Sequence, residues 1–488
     1  MKIKSHVLVN LLALTGGALL AQVPASDSKA VSISKIERKN KAPVSRDILR
    51  VTLPKPTELK LPSGLTVLVL EDHRLPTVTV RMLIQGAGSL NDPPDLPGLA
   101  NLTAAMLKEG TYSRTSKKIS EDIDRLGATI IATAPFAASA ANFNASGLSD
   151  NIRDWMNLAS DLLLNPTFPD EELAKLKQRL KVQMVQQRSS PFFLIQERFN
   201  RAVYGDHPAA TLTFTPQSLD KITREMLVKF HHERYVPQNA LLGVAGDVRA
   251  ADLQEMFSTM PPWEATDRKA PDPPMTRAAK GRKIYLVDRP GSVQTDVRMG
   301  NIAVNRTDPD YIVLQVMNRI VGDGPAARLF INLREEKGYT YGAYSSMAAL
   351  KYAGPWFAYG NMRTDATEGA MTEFLKELNR IRDQIVPESE LEEDKRSMVA
   401  SFALSLEDPA ELLSLAMTQR FYALPADYWD TYTAKIMNVT AEQVQRVAQK
   451  YIVPDDLQIA AVGDASKIKP VLEKYGPVEV YGTDGKKK

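Results

Sequence analysis

Runs of apolar residues change period along the chain, and each change marks an element. Residues 65–70 (LTVLVL) are apolar or β-branched throughout and residues 77–85 (TVTVRMLIQ) alternate, so the first half opens on a pair of strands. Helices follow at 98–109 and 116–126, then strands around Ile130 and Ala140, then one long helical stretch over 150–188. Strands mixed with paired helices in this order predict the α+β class, with helices on one face of a mainly antiparallel sheet.

The pattern is written twice. Thr223, Pro237 and Gly246-Asp247 recur with the same spacing as Thr440, Pro454 and Gly463-Asp464. Each set reads as a capped helix, a proline turn and an apolar strand ending at Gly-Asp. Upstream, Pro169, Pro191 and Tyr204 find counterparts in Pro387, Pro409 and Tyr422. A collinear series of this kind indicates duplication of a whole domain rather than a solenoid. Between the copies, residues 261–282 (PPWEATDRKAPDPPMTRAAKGR) hold five prolines among charges, which predicts an extended linker. The expected organisation is a first domain over 52–262, a linker over 263–281, a second domain over 282–482 and a short tail over 483–488.

The ends and the composition narrow the class. Lys2 and Lys4 precede a mostly apolar run over 7–21, followed by small residues, with Ala21 or Ala25 as cleavage points. This is the layout of a secretory signal peptide over 1–21, leaving a polar leader over 22–51 and an exported, periplasmic protein without a membrane anchor. The chain of 488 residues has no Cys, which excludes disulfides, thiolate metal ligands and a Cys nucleophile. A net charge of +3 from scattered basic residues offers no nucleic-acid footprint.

Chemistry should lie at residues 98–111 (GLANLTAAMLKEGT), where a strand and loop open into a helix. The segment resembles the pitrilysin/insulinase family of zinc peptidases, the inverzincins, whose helix here carries H-x-x-E-H. In that motif two His at i and i+4 hold zinc and the Glu activates the bound water. This chain has Asn101, Ala104 and Ala105 at the motif positions, and Gln183 where the resemblance places a third, carboxylate ligand. No zinc ligand survives. The five His offer no replacement: no two sit four apart, His207 lies in a structural turn, and His231 and His232 suit a solvated helix end.

Residues 322–344 (GDGPAARLFINLREEKGYTYGAY) match the family's second domain closely. The resemblance implies that Arg334 and Tyr341 are the pair that hydrogen-bonds the scissile carbonyl. Gly338 is placed to end the helix in the left-handed conformation, and Tyr339, two residues before Tyr341, is expected to share its strand face. The resemblance further implies two homologous domains forming half of a clamshell, and a partner: a homologous subunit with an intact H-x-x-E-H, which would hold the zinc and act with this chain on a peptide substrate. The alternative is an inactive peptide-binding or structural scaffold. A third reading, a self-sufficient peptidase, would need an unrecognised metal site.

Overall fold

In a computed structural model of the chain, residues 51–488 are described; the expected signal and all but the last residue of the leader lie outside them. The first half comprises β1 (Thr57–Lys60), β2 (Thr66–Glu71), β3 (Thr77–Gln85), α1 (Leu99–Met106), α2 (Ser116–Arg125), β4 (Thr129–Thr133), β5 (Ala140–Leu148), α3 (Ile152–Leu164), α4 (Asp170–Gln187), α5 (Pro191–Tyr204), α6 (Pro216–Lys221), α7 (Arg224–Arg234), β6 (Ala240–Gly246) and α8 (Ala250–Thr259). Its six strands form one sheet in the order β1-β2-β6-β3-β5-β4. Residues 261–282 carry no helix or strand.

The second half comprises β7 (Lys283–Asp288), β8 (Gln294–Ile302), α9 (Tyr311–Val321), α10 (Arg328–Phe330) running into a π-helical turn (Ile331–Glu336), β9 (Thr340–Ala349), β10 (Ala353–Arg363), α11 (Thr367–Asp383), α12 (Glu388–Ser405), α13 (Pro409–Phe421), α14 (Tyr432–Met437), α15 (Ala441–Tyr451), β11 (Gln458–Gly463), α16 (Ala465–Leu472) and β12 (Val478–Tyr481). Its sheet runs β12-β7-β11-β8-β10-β9. Apart from the outer strands β1 and β12, the two orders correspond strand for strand. In each, one central strand (β6, β11) lies parallel to one neighbour and antiparallel to the other. The repeated residues explain this. Thr223 and Thr440 cap α7 and α15 through their hydroxyls, and the chain then turns at Pro237 or Pro454 into the central strand.

Two sequence expectations change. Strands β2 and β3 do not pair with each other, because β6 inserts between them; only the distant repeat segment could have revealed that. The long helix over 150–188 is two helices. Pro166 and Pro169 lack N–H donors and Phe168 adopts a left-handed φ of 50°, so the chain turns between α3 and α4.

Each sheet packs its own helices on one face, around Trp155 and Phe143 in the first half and Trp356 and Phe374 in the second. The other face takes a helix from the opposite half. Helix α13 lays Leu413 and Met417 on Leu68, Leu70 and Leu241, while α5 lays Leu194, Phe199 and Val203 on Val287, Ala460 and Val462. Gly243 permits the first contact: a Cβ there would lie 2.5 Å from Met417 Sδ and 2.8 Å from Leu413 Cδ1. No helix among the described residues is long and apolar enough to cross a membrane.

Candidate functional site

Helix α1 begins at Gly98, whose φ of 97° suits glycine and whose bare Cα lies against the Phe214 ring. Asp92 caps it from six residues upstream, accepting hydrogen bonds from the backbone N–H of Gly98 (2.7 Å) and Ala100 (2.9 Å). Burial pushes this carboxyl up to about 7 despite those donors. One turn on, Asn101 is half-buried, Ala104 is fully buried in the core and Ala105 is half-buried.

Helix α4 meets α1 here. Asn101 and Gln183 line one cavity of about 220 Å³ together with Phe136, Met184, Gln187 and Thr213. Phe136 and Phe214 meet edge to face at 5.2 Å, and Thr213 donates to Gln187 Oε1 at 3.2 Å. The polar groups facing this space are amides and a hydroxyl; no His, Asp or Glu lines it. Neutral amides are weak partners for a divalent transition metal. Among the described residues no three His, Asp or Glu gather where they could hold a metal ion. The donor set does not fit zinc.

Two of the described histidines, His207 and His231, are engaged elsewhere. His207 is buried, accepts from Ala209 N at 3.1 Å through Nδ1 and donates to Pro274 O at 3.1 Å through Nε2. His231 is not a solvated helix end as its position suggested: Nε2 donates to Leu163 O at 2.8 Å, and burial pushes its pKa down to about 4. Its neighbour His232 is exposed.

Arg334 and Tyr341 both sit on irregular backbone. Arg334 lies in the π-helical turn, a distortion that recurs at functional sites. Asn332 anchors that turn by donating to Glu373 (2.8 Å) and Glu377 (2.8 Å) of α11. Gly338 closes it at φ 64°, with its N–H on Arg334 O and Tyr339 N–H on Leu333 O. The Arg334 guanidinium lies 4.7 Å over the Phe330 ring and 3.5 Å from Glu335, with nearly half of its side chain open to solvent.

Tyr341 is the extra residue of a β-bulge. Gly342 faces Asn361 across the β9–β10 ladder but Thr340 faces Met362, which leaves Tyr341 without an opposite number. The Thr340 hydroxyl fixes the bulge, donating to Asn361 O and accepting from Gly342 N at 3.0 Å. The bulge corrects the expectation that Tyr339 and Tyr341 share a face: alternation fails across an inserted residue. Tyr339 packs its ring against Gly369 of α11, whereas Tyr341 stands 80% exposed. Tyr341 borders a second cavity of about 360 Å³, which shares no residue with the Asn101–Gln183 cavity. That second cavity contains Arg298 of β8, which sequence reasoning passed over. Its one signal was an arginine within an otherwise strand-like run, QTDVRMGNI.

Two family models match the chain: insulinase (peptidase family M16) over residues 66–217, and the peptidase M16 inactive domain over 221–398. An uncharacterised zinc protease of Bacillus subtilis is 22% identical over 354 residues, 72% of this chain and 85% of its own. One from Mycobacterium leprae is 24% identical over 432 residues, 87% and 93% of the two chains. Among solved structures, a peptidase M16 inactive domain from Pseudomonas fluorescens superposes with a TM-score of 0.76 at 26% identity, covering 84% of this chain and 98% of that one. A protease from Helicobacter pylori gives 0.75 at 19% identity, with 84% and 100% covered, and shares the fold.

Proposed function

The chain belongs to the insulinase (M16) family of peptidases, and from that premise we propose that it is the metal-free subunit of a two-chain zinc peptidase. In this reading it supplies Arg334 and Tyr341 to a peptide held at the zinc site of a homologous partner with an intact H-x-x-E-H. Water addition to a peptide bond builds negative charge on the carbonyl oxygen, and donors aimed at that oxygen stabilise the charge as it develops. A guanidinium and a phenol are suited to this: both donate hydrogen bonds without being consumed. Arg334 and Tyr341 remain solvent-facing, although each rests on a backbone distortion held by specific hydrogen bonds. That combination, in a chain whose first half holds an amide-lined cavity where the family's ligands would stand, carries the reading. Residues 1–21 would send the chain to the periplasm, and the substrate would be a peptide.

The experiment is reconstitution. The full chain is mixed with a homologous subunit carrying H-x-x-E-H from the same source, and peptide hydrolysis is followed. The expected result is a stable pair that hydrolyses peptides when neither chain does alone. A stable pair without hydrolysis would favour a scaffold.

A further inference from the structure

Four arginines are buried among the described residues: Arg198, Arg298, Arg306 and Arg328. Three have polar partners. Arg328 forms a bidentate pair with Glu390 (2.7 and 2.7 Å), Arg306 donates to Tyr428 Oη (2.8 Å) and Arg198 to Gly485 O (2.9 Å). Arg298 has none. It is 6% exposed, its Nε is buried without a hydrogen-bond partner, and neither terminal nitrogen makes a hydrogen bond or ion pair among the described residues. Its guanidinium instead lies against aromatic rings, with centroids at 4.5 Å (Phe357), 5.6 Å (Tyr359) and 5.8 Å (Phe199).

Ring faces attract a cation but do not satisfy its N–H donors, and a desolvated charge without a counter-charge is costly. Burial lowers the Arg298 pKa to about 10, so the group stays cationic at neutral pH. Arg298 lines the 360 Å³ cavity beside Tyr341, with Tyr344, Tyr359 and Asn361 around it. Asp296 lines the same space two residues along β8 but forms no ion pair with Arg298; burial raises its pKa, and its cationic neighbour is Arg289.

We propose that this cavity is a carboxylate subsite, in which Arg298 pairs with an acidic group of the bound peptide: an Asp or Glu side chain, or the terminal carboxylate. The proposal rests on the peptidase-subunit reading for the identity of the ligand as a peptide. The subsite adjoins Tyr341, so the acidic group lies close to the scissile bond. A planar fork of donors matches a carboxylate, and the aromatic walls exclude the water that would screen the pair.

Fluorescence anisotropy on the full chain alone tests this without catalysis. Three labelled peptides of one backbone are compared: an internal Glu with an amidated end, Gln with an amidated end, and Gln with a free terminal carboxylate. A charge-assisted pair in this setting predicts that one carboxylate peptide binds about tenfold or more tightly than the Gln amide. Whichever carboxylate peptide gains identifies the source. Arg298→Met should abolish the preference and Arg298→Lys should retain part of it, with melting temperatures recorded for both. Equal binding of the three peptides to the unsubstituted chain, or no binding of any, overturns the subsite whether or not the variants fold. The two readings fail separately: hydrolysis by the reconstituted pair with no carboxylate preference sinks only the subsite, while a preference in the chain alone survives an inactive pair.

Discussion

Replacing Leu413 by Ala probes the exchange of helices that joins the two halves. Leu413 is fully buried where α13 crosses the first sheet, among Leu68, Leu70, Leu241, Ala245 and Met417. Leu→Ala deletes three carbons' worth of burial, roughly 2–2.5 kcal/mol at about 0.8 kcal/mol per methylene. The cavity adds to this. Gly243, directly beneath, has no side chain to move into the space, so the loss should fall in the upper part of the ~2.7–5 kcal/mol range for such changes. Phe199→Ala, at the corresponding contact of α5 with the second sheet, should lose about 3–5 kcal/mol. Leu404 on α12 is 70% exposed, and Leu404→Ala is the control, within about 0.5 kcal/mol of the parent. The assay is equilibrium urea unfolding by tryptophan fluorescence and circular dichroism. Because α13 ties one half to the other, Leu413→Ala should also split a single transition into two. A loss below about 1 kcal/mol with one cooperative transition would refute the packing described for α13.

His231 titrates at about 4 in the fold against 6.5 in a free side chain, so the unfolded chain takes up a proton that the folded chain does not. Its contribution is complete above pH 6.5 and lost on acidification, about 2 kcal/mol between pH 7.5 and 5, and His231→Gln should remove that share of the pH dependence in urea melts. Metal analysis of the purified chain should give well under one zinc per chain after dialysis against zinc, with no chelator-sensitive peptide hydrolysis; one zinc per chain would contradict the account of Asn101, Ala104, Ala105 and Gln183. N-terminal sequencing of the exported protein should find a start between Gln22 and Ser26, and an intact Met1 in a membrane fraction would argue for an anchor.

Much of the fold was legible because it was written twice. The Thr223 and Thr440 segments predict a capped helix, a turn and a strand, and these are α7–β6 and α15–β11. What could not be read was where β6 goes. Periodicity places β2 and β3 as neighbours in sequence, but pairing across some 170 residues depends on which apolar faces meet, and no local pattern records that. The exchange of α5 and α13 was hidden for the same reason: an apolar helix face does not name its partner. At the site, family spacing brought attention to Arg334 and Tyr341, and Gly338 ended the helix at positive φ as expected. The bulge at Tyr341 was not readable, because strand alternation assumes one residue per step and the Thr340 hydroxyl that fixes the extra residue looks like any strand threonine. Arg298 was passed over because a lone arginine in a strand-like run is a weak signal until its missing counter-charge is seen.

Arg334 and Tyr341 are proposed to act on a carbonyl oxygen at a partner's zinc site. The most direct measurement is steady-state peptide hydrolysis by the reconstituted pair carrying Arg334→Ala or Tyr341→Phe, with gel filtration and melting temperature to confirm assembly. Loss of a donor that strengthens only as charge develops should lower kcat by on the order of 100-fold or more and leave KM nearly unchanged. Tyr339→Phe, whose ring packs on Gly369, should keep kcat within about twofold. Full kcat in correctly assembled Arg334→Ala and Tyr341→Phe pairs would contradict the account and leave the chain a scaffold.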